Sequence, residues 1–148
     1  EVVKSTKGWG LGVSVHPMLA DEPWMAPARD QIRILASHQD QVALLPPGAT
    51  RLAGNDFCPN FMFLQGNNIV AIQGHPEFSV EYNRALIERR RGLLPDERYQ
   101  NSLAGGGGGF GDHDAVAAAV SGDPAAAGWR GLNPVCQPPL RMLDFVAK

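Results

Sequence analysis

The 148-residue sequence has only two cysteines, Cys58 and Cys136, and they form no CxxC spacing. That argues against a disulfide-stapled scaffold or a cysteine metal site, and favours two reduced thiols in a cytoplasmic protein. No apolar run approaches the roughly 20 residues needed to cross a bilayer, so no membrane partner is expected. Charge of one sign is also lacking: a net charge of −2 provides no global field for nucleic acid or an anionic membrane. An initiator methionine is missing, and the opening EVVKSTKGWG lacks the apolar core of a signal peptide. The chain therefore reads as a piece of something longer. No internal repeat is visible. The hydrophobic fraction, 44%, is that of a soluble globular chain able to pack one core.

Residues 1–103 and 104–148 differ in material. In the first part, GVSVHPM reads as a strand running into a turn at proline, and PWMAPARD as a surface loop. QIRILA alternates polar and apolar residues, so a half-buried strand is expected, interrupted by the polar SHQDQV. Pro46-Pro47-Gly48 enforces a turn. TRLAGND and NFMFLQ read as a strand pair, with Gly66-Asn67-Asn68 turning into NIVAIQG. That last run is short, continuous and β-branched, which predicts a strand buried on both faces.

A helix is expected directly afterwards. Ser79 is a cap candidate and Glu81 complements the dipole. Tyr82, Ala85, Leu86 and Leu93 should form one face, Arg84, Glu88 and Arg91 the other, with Gly92 and Pro95 stopping the helix. Strand, polar loop and helix in that order are the local arrangement of an open α/β sheet, whose sites sit at strand carboxyl ends. From residue 104 the Gly/Pro/Ala-rich sequence predicts a poorly ordered tail, with one short helix at 112–120.

The chemistry concentrates in Gln73-Gly74-His75-Pro76-Glu77-Phe78. Residues i and i+2 of an extended segment project to the same side, and Pro76 narrows the geometry between His75 and Glu77. A carboxylate beside an imidazole fixes its tautomer and supports the imidazolium, as the base for a thiol nucleophile requires. Spacing alone leaves a surface turn equally open.

The wider sequence adds a resemblance. IVAIQGHPEF resembles the catalytic His/Glu motif of class I glutamine amidotransferases. KGWGLGVSVH, ILASHQDQVALLPPGATRLAGND, CPNFMF and EFSVEYNRALIERRRGLL resemble successive segments of stand-alone members similar to the GMP synthase amidotransferase domain, over roughly residues 1–100. The resemblance implies a flavodoxin-like α/β fold, of which this chain is the C-terminal part. It also implies His75 as the base, Glu77 as its orienting carboxylate, and Ser37, His38 and Gln39 as contacts for the substrate's α-amino and α-carboxyl groups. No cofactor and no metal is expected. The implied partners are glutamine or a γ-glutamyl small molecule, and an ammonia-accepting synthase.

One departure from the family's pattern is plain. Its nucleophile lies in a Gly-x-Cys-x-Gly turn, and no such motif occurs here. Cys58, followed by Pro59, reads as a packed thiol, and Cys136 sits in the Pro-rich tail. The expected activity is hydrolysis of the glutamine side-chain amide through a cysteine thioester, with this chain inactive by itself. The alternatives are a γ-glutamyl peptidase of the same fold and a truncated, non-catalytic product. His16 reads as a strand end and Arg89-Arg90-Arg91 as a solvated helix face. His113 lacks a second metal-ligand cluster, and Gly105–Gly109 lacks the Lys-Ser/Thr of a phosphate loop.

Overall fold

The computed structural model describes residues 1–25, 28–104 and 141–144. Strand β1 (Val2–Lys4) pairs antiparallel with β4 (Asp40–Val42), and β2 (Gly10–Pro17) pairs antiparallel with β3 (Gln31–His38). A four-stranded sheet runs β5 (Ala49–Ala53), β6 (Met62–Gln65), β7 (Ile69–Ile72) and β8 (Arg141–Asp144). The first three of these are antiparallel, and β8 lies parallel to β7. Helix α1 spans Val80–Arg89, a 3-10 turn covers Arg91–Leu93, and α2 spans Asp96–Ala104.

The strand pair expected over TRLAGND and NFMFLQ is β5–β6. The turn at Gly66 requires the backbone freedom of glycine, since its φ is +63°. Strand β8 is an element the tail's composition does not announce. The short helix expected at 112–120 lies outside the described residues, as does His113.

The core forms where β2, β3, β5, β6 and β7 share one apolar cluster around Ile32, Ile34, Leu52, Phe61, Met62 and Ile72. Hydrogen bonds join the sheets to one another. Leu19 N–H donates to the Leu52 carbonyl at 2.8 Å, and Met18 bridges to Ala53. At the other end, His75 N–H donates to the Leu35 carbonyl at 2.7 Å.

Three expectations need correction. The strand at QIRILA is longer than expected and buried on both faces from Ile34 to His38, because the core cluster covers one face and α1 the other. The polar residues Ser37 and His38 thus end the strand instead of interrupting it. PWMAPARD does not run entirely over the surface: Trp24 and Met25 are buried in the core cluster. The apolar side chains there satisfy the core although two prolines bend the chain.

Helix α1 begins as expected, with the Ser79 hydroxyl accepting from Tyr82 N–H at 3.1 Å. Its buried face differs, consisting of Asn83 and Ile87, while Tyr82 is 53% and Leu93 71% exposed. Packing against Leu35 selects the Val80–Asn83–Ile87 stripe, an i, i+3, i+7 set one position off the expected one. Pro95 stops nothing; it opens α2, where its carbonyl accepts from Tyr99 N–H at 3.0 Å. Pro95 followed by the acidic Asp96 and Glu97 is the start signal that a reading of the sequence passes over.

Candidate active site

The chain leaves β7 through Gln73 and Gly74, both buried. The Gln73 side-chain amide is fully used: its oxygen accepts from Val42 N–H at 3.0 Å, and its nitrogen donates to the Asn60 carbonyl at 2.9 Å and to Cys58 Sγ at 3.2 Å. Gln73 therefore ties the exit of β7 to the β4 end and to the loop before β6, a role its place in an apolar run does not reveal. Gly74 is needed for close approach. A Cβ there would stand 2.5 Å from Ile34 Cγ2 and 2.8 Å from Phe61 Cζ.

His75 follows, 5% exposed, with its ring stacked on Phe78 at 4.0 Å between centroids and 3° between planes. Its Nδ1 lies 2.7 Å from Glu77 Oε1, and the glutamate side chain is 51% exposed. An ionised carboxylate only accepts, so Nδ1 carries the proton in this contact and Nε2 remains for other chemistry. The structure thus brings His75 and Glu77 together.

It separates Ser37 from His38. Successive strand residues point to opposite faces, and each side chain finds a different neighbour. The Ser37 hydroxyl accepts from Arg90 Nη1 at 3.2 Å, on the α1 side. His38 lies on the other face, where its Nδ1–H donates to the Asp40 carbonyl at 3.1 Å and its Nε2 stands close to Gly10. His38 is the one that senses His75. Burial pushes its imidazole below the usual range, the bond to the Asp40 carbonyl opposes this, and the like charge of His75 lowers it further. Gln39 takes part through its main-chain carbonyl, which accepts from Ser5 N–H at 2.9 Å, and it borders a cleft of about 580 Å³ with Lys4, Lys7 and Trp9.

Arg90, expected on a solvated face, turns inward instead: besides Ser37 it covers the Trp9 ring, with Cζ 4.8 Å from the centroid. A guanidinium stacks on an aromatic face more favourably than it hydrates. A second cleft of about 520 Å³ lies between the start of β2 and α2, and neither cleft is lined by His75.

Cys58 is 1% exposed, and burial pushes its thiol up to about 12, so at neutral pH it is a protonated, packed group that accepts from Gln73. Among the described residues no group of three His, Cys, Asp or Glu side chains is arranged to hold a metal ion. No helix among the described residues is long and apolar enough to cross a membrane.

No family profile matches the chain. It is 41% identical over 94 residues to γ-glutamyl peptidase 5 of Arabidopsis thaliana, covering 60% of this chain and 38% of that protein. It is 33% identical over 89 residues to the glutamine-hydrolysing subunit of GMP synthase from Methanoculleus marisnigri, covering 59% of this chain and 48% of that one. Among solved structures, a glutamine amidotransferase from Thermotoga maritima superposes with a TM-score of 0.56 at 22% identity, over 72% of this chain and 46% of that one. The chain spans 23% to 51% of the length of the curated relatives it matches. The structural match shows the glutamine amidotransferase fold. With the sequence relatives, it places the chain in a class I glutamine amidotransferase-like family.

Proposed function

We propose that this chain supplies the His–Glu half of a Cys-His-Glu amidase acting on the side-chain amide of glutamine. The observation that carries the reading is the 2.7 Å contact between His75 Nδ1 and Glu77 Oε1 at the carboxyl end of β7. With Nδ1 held, Nε2 is the atom that moves protons. A cysteine thiolate from outside this chain attacks the amide carbon, and the resulting imidazolium of His75 gives its proton to the departing ammonia. His75 then takes a proton from the water that hydrolyses the γ-glutamyl thioester, and the acid is released. Cys58 is not that nucleophile, being buried and protonated, so the 148 residues alone do not turn glutamine over. Ser37, His38 and Gln39 form the substrate-binding segment, with His38 on the face toward His75 and Gln39 contributing main chain. The ammonia passes to a synthase partner, and the reduced thiol fits a cytoplasmic setting.

A second reading is hydrolysis of a γ-glutamyl peptide by the same groups. It is favoured by the 40% and 41% identities to two Arabidopsis γ-glutamyl peptidases. One experiment tests both. The longer gene product that contains residues 1–148 is assayed for ammonia from glutamine and for free amino acid from γ-glutamyl dipeptides, with and without His75→Ala. Turnover of either substrate that survives His75→Ala would exclude His75 as the base.

A further inference from the structure

His16 has no part in the chemistry above, yet its environment is unusual for an imidazole. It is fully buried near the end of β2. Its ring lies face to face with Phe61, 3.5 Å between centroids and 11° between planes, and its Nε2 is 2.6 Å from Ser14 Oγ. Its Nδ1 is buried with no hydrogen-bond partner. Burying an unpartnered polar nitrogen is unfavourable, and an aliphatic side chain would fill the same core without that penalty. What the imidazole offers in place of an aliphatic is a flat face held at a fixed angle by one hydrogen bond.

That face is applied to the residue on which the active-site turn rests. The Phe61 carbonyl accepts from Gln73 N–H at 2.9 Å, and Phe61 Cζ occupies the space against Gly74 where a Cβ would come within 2.8 Å. Ser14, His16, Phe61 and Gly74 therefore form a continuous stack ending at the residue before His75. We infer that His16 is a positioning residue for His75, acting through Phe61 on the Gln73–Gly74 exit from β7. The inference rests on the reading of His75 as the catalytic base, since it assigns to His16 the placement of that ring and no contact with substrate. The other titratable groups near this stack are His38, which shares the face of β3 toward His16, and Cys58, in the same core cluster. Both are held neutral by burial, so the stack carries no charge at neutral pH.

The 148-residue chain itself serves for the test, with nitrogen-labelled histidine observed by NMR. The readouts are the low-field proton of His75 Nδ1–H, held by Glu77, and the exchange rate of the His75 main-chain amide, held by Leu35. In His16→Leu the low-field signal is lost and the amide exchanges about ten-fold faster or more, while His16→Phe, which keeps a stackable ring, retains both. Ser14→Ala, which frees the ring without removing it, gives a smaller acceleration and keeps the inference testable should His16→Leu fail to fold. Leu52→Ala, a cavity in the same cluster, controls for general loosening and leaves the low-field signal in place. Wild-type readouts in His16→Leu, or equal losses in Leu52→Ala, would overturn the inference. A low-field signal indifferent to Glu77→Gln would instead sink the His75–Glu77 reading.

Discussion

The main chain of His75 is bonded to that of Leu35, 2.7 Å from nitrogen to carbonyl oxygen, across forty residues of sequence. The imidazole is therefore held by a buried strand of a different sheet and not by the flexibility of its own loop. Pro76 adds a fixed φ on the following residue, so little conformational freedom is left between β7 and Glu77.

Gly74→Ala should expose how tight that anchoring is. The added methyl meets Ile34 Cγ2 at 2.5 Å and Phe61 Cζ at 2.8 Å, and overpacking of this kind destabilises by about 1–3 kcal/mol. Urea unfolding of the chain measures it. An unchanged midpoint would mean that the strand end shifts freely, contrary to the close packing seen here.

In the longer enzyme, His75 and Glu77 should matter unequally. His75 moves protons in both half-reactions, so His75→Ala abolishes steady-state turnover, a loss of about 10²–10⁴-fold or more. Glu77 holds the ring and never touches the substrate, so Glu77→Gln leaves measurable activity with its loss in kcat, not in KM. Equal and complete loss in both variants would require Glu77 to act directly.

Acid should weaken the fold through His16. Burial and the neighbouring His38 push its imidazole from 6.5 down to about 3. Between those values the unfolded chain binds a proton that the folded chain refuses, so stability falls as pH drops from 6.5 toward 3. His38 is shifted in the same direction. Urea midpoints at several pH values should show the decline, and His16→Phe should flatten it. An acid limb of the same slope in that variant would assign the effect to other groups.

Base should weaken it through Cys58. The thiol ordinarily ionises near 9.0 and is pushed up to about 12 in the fold. Above 9.0 the unfolded chain loses a proton that the folded chain keeps, so this contribution to stability is lost as pH rises. A thiol-specific chromogenic reagent should leave Cys58 unmodified in the native chain at neutral pH and react on unfolding. Rapid labelling of the native Cys58 would contradict its burial.

The strands were readable because their signals are local: alternating or continuous apolar runs, a Pro-Pro-Gly turn, and a glycine that bends the chain at Gly66. The His75–Glu77 pair was readable for the same reason, since two residues in extended backbone need no distant partner to meet. What could not be read depends on contacts across the chain. The face that α1 buries is decided by Leu35, far upstream, and not by the helix's own stripe of Tyr82, Leu86 and Leu93. Ser37 and His38 form one motif in the sequence, but a strand's two-residue period sends them to opposite faces once β3 continues through them. Arg90 read as one of three solvated arginines, because nothing near it announces Trp9 or Ser37. Strand β8 had no signal in a stretch broken by glycine and proline.

Strand β3 holds the site loop at both ends: the Leu35 carbonyl takes the His75 amide, and two residues later the Ser37 hydroxyl takes the Arg90 guanidinium that closes α1. Both clamps ride on one rigid rail, so a sideways displacement of β3 carries the imidazole and the helix terminus together and leaves their separation unaltered. For anyone transplanting the site into another scaffold, residues 31–38 and 73–90 thus form one indivisible cassette, and moving the histidine loop without its rail would leave it adrift.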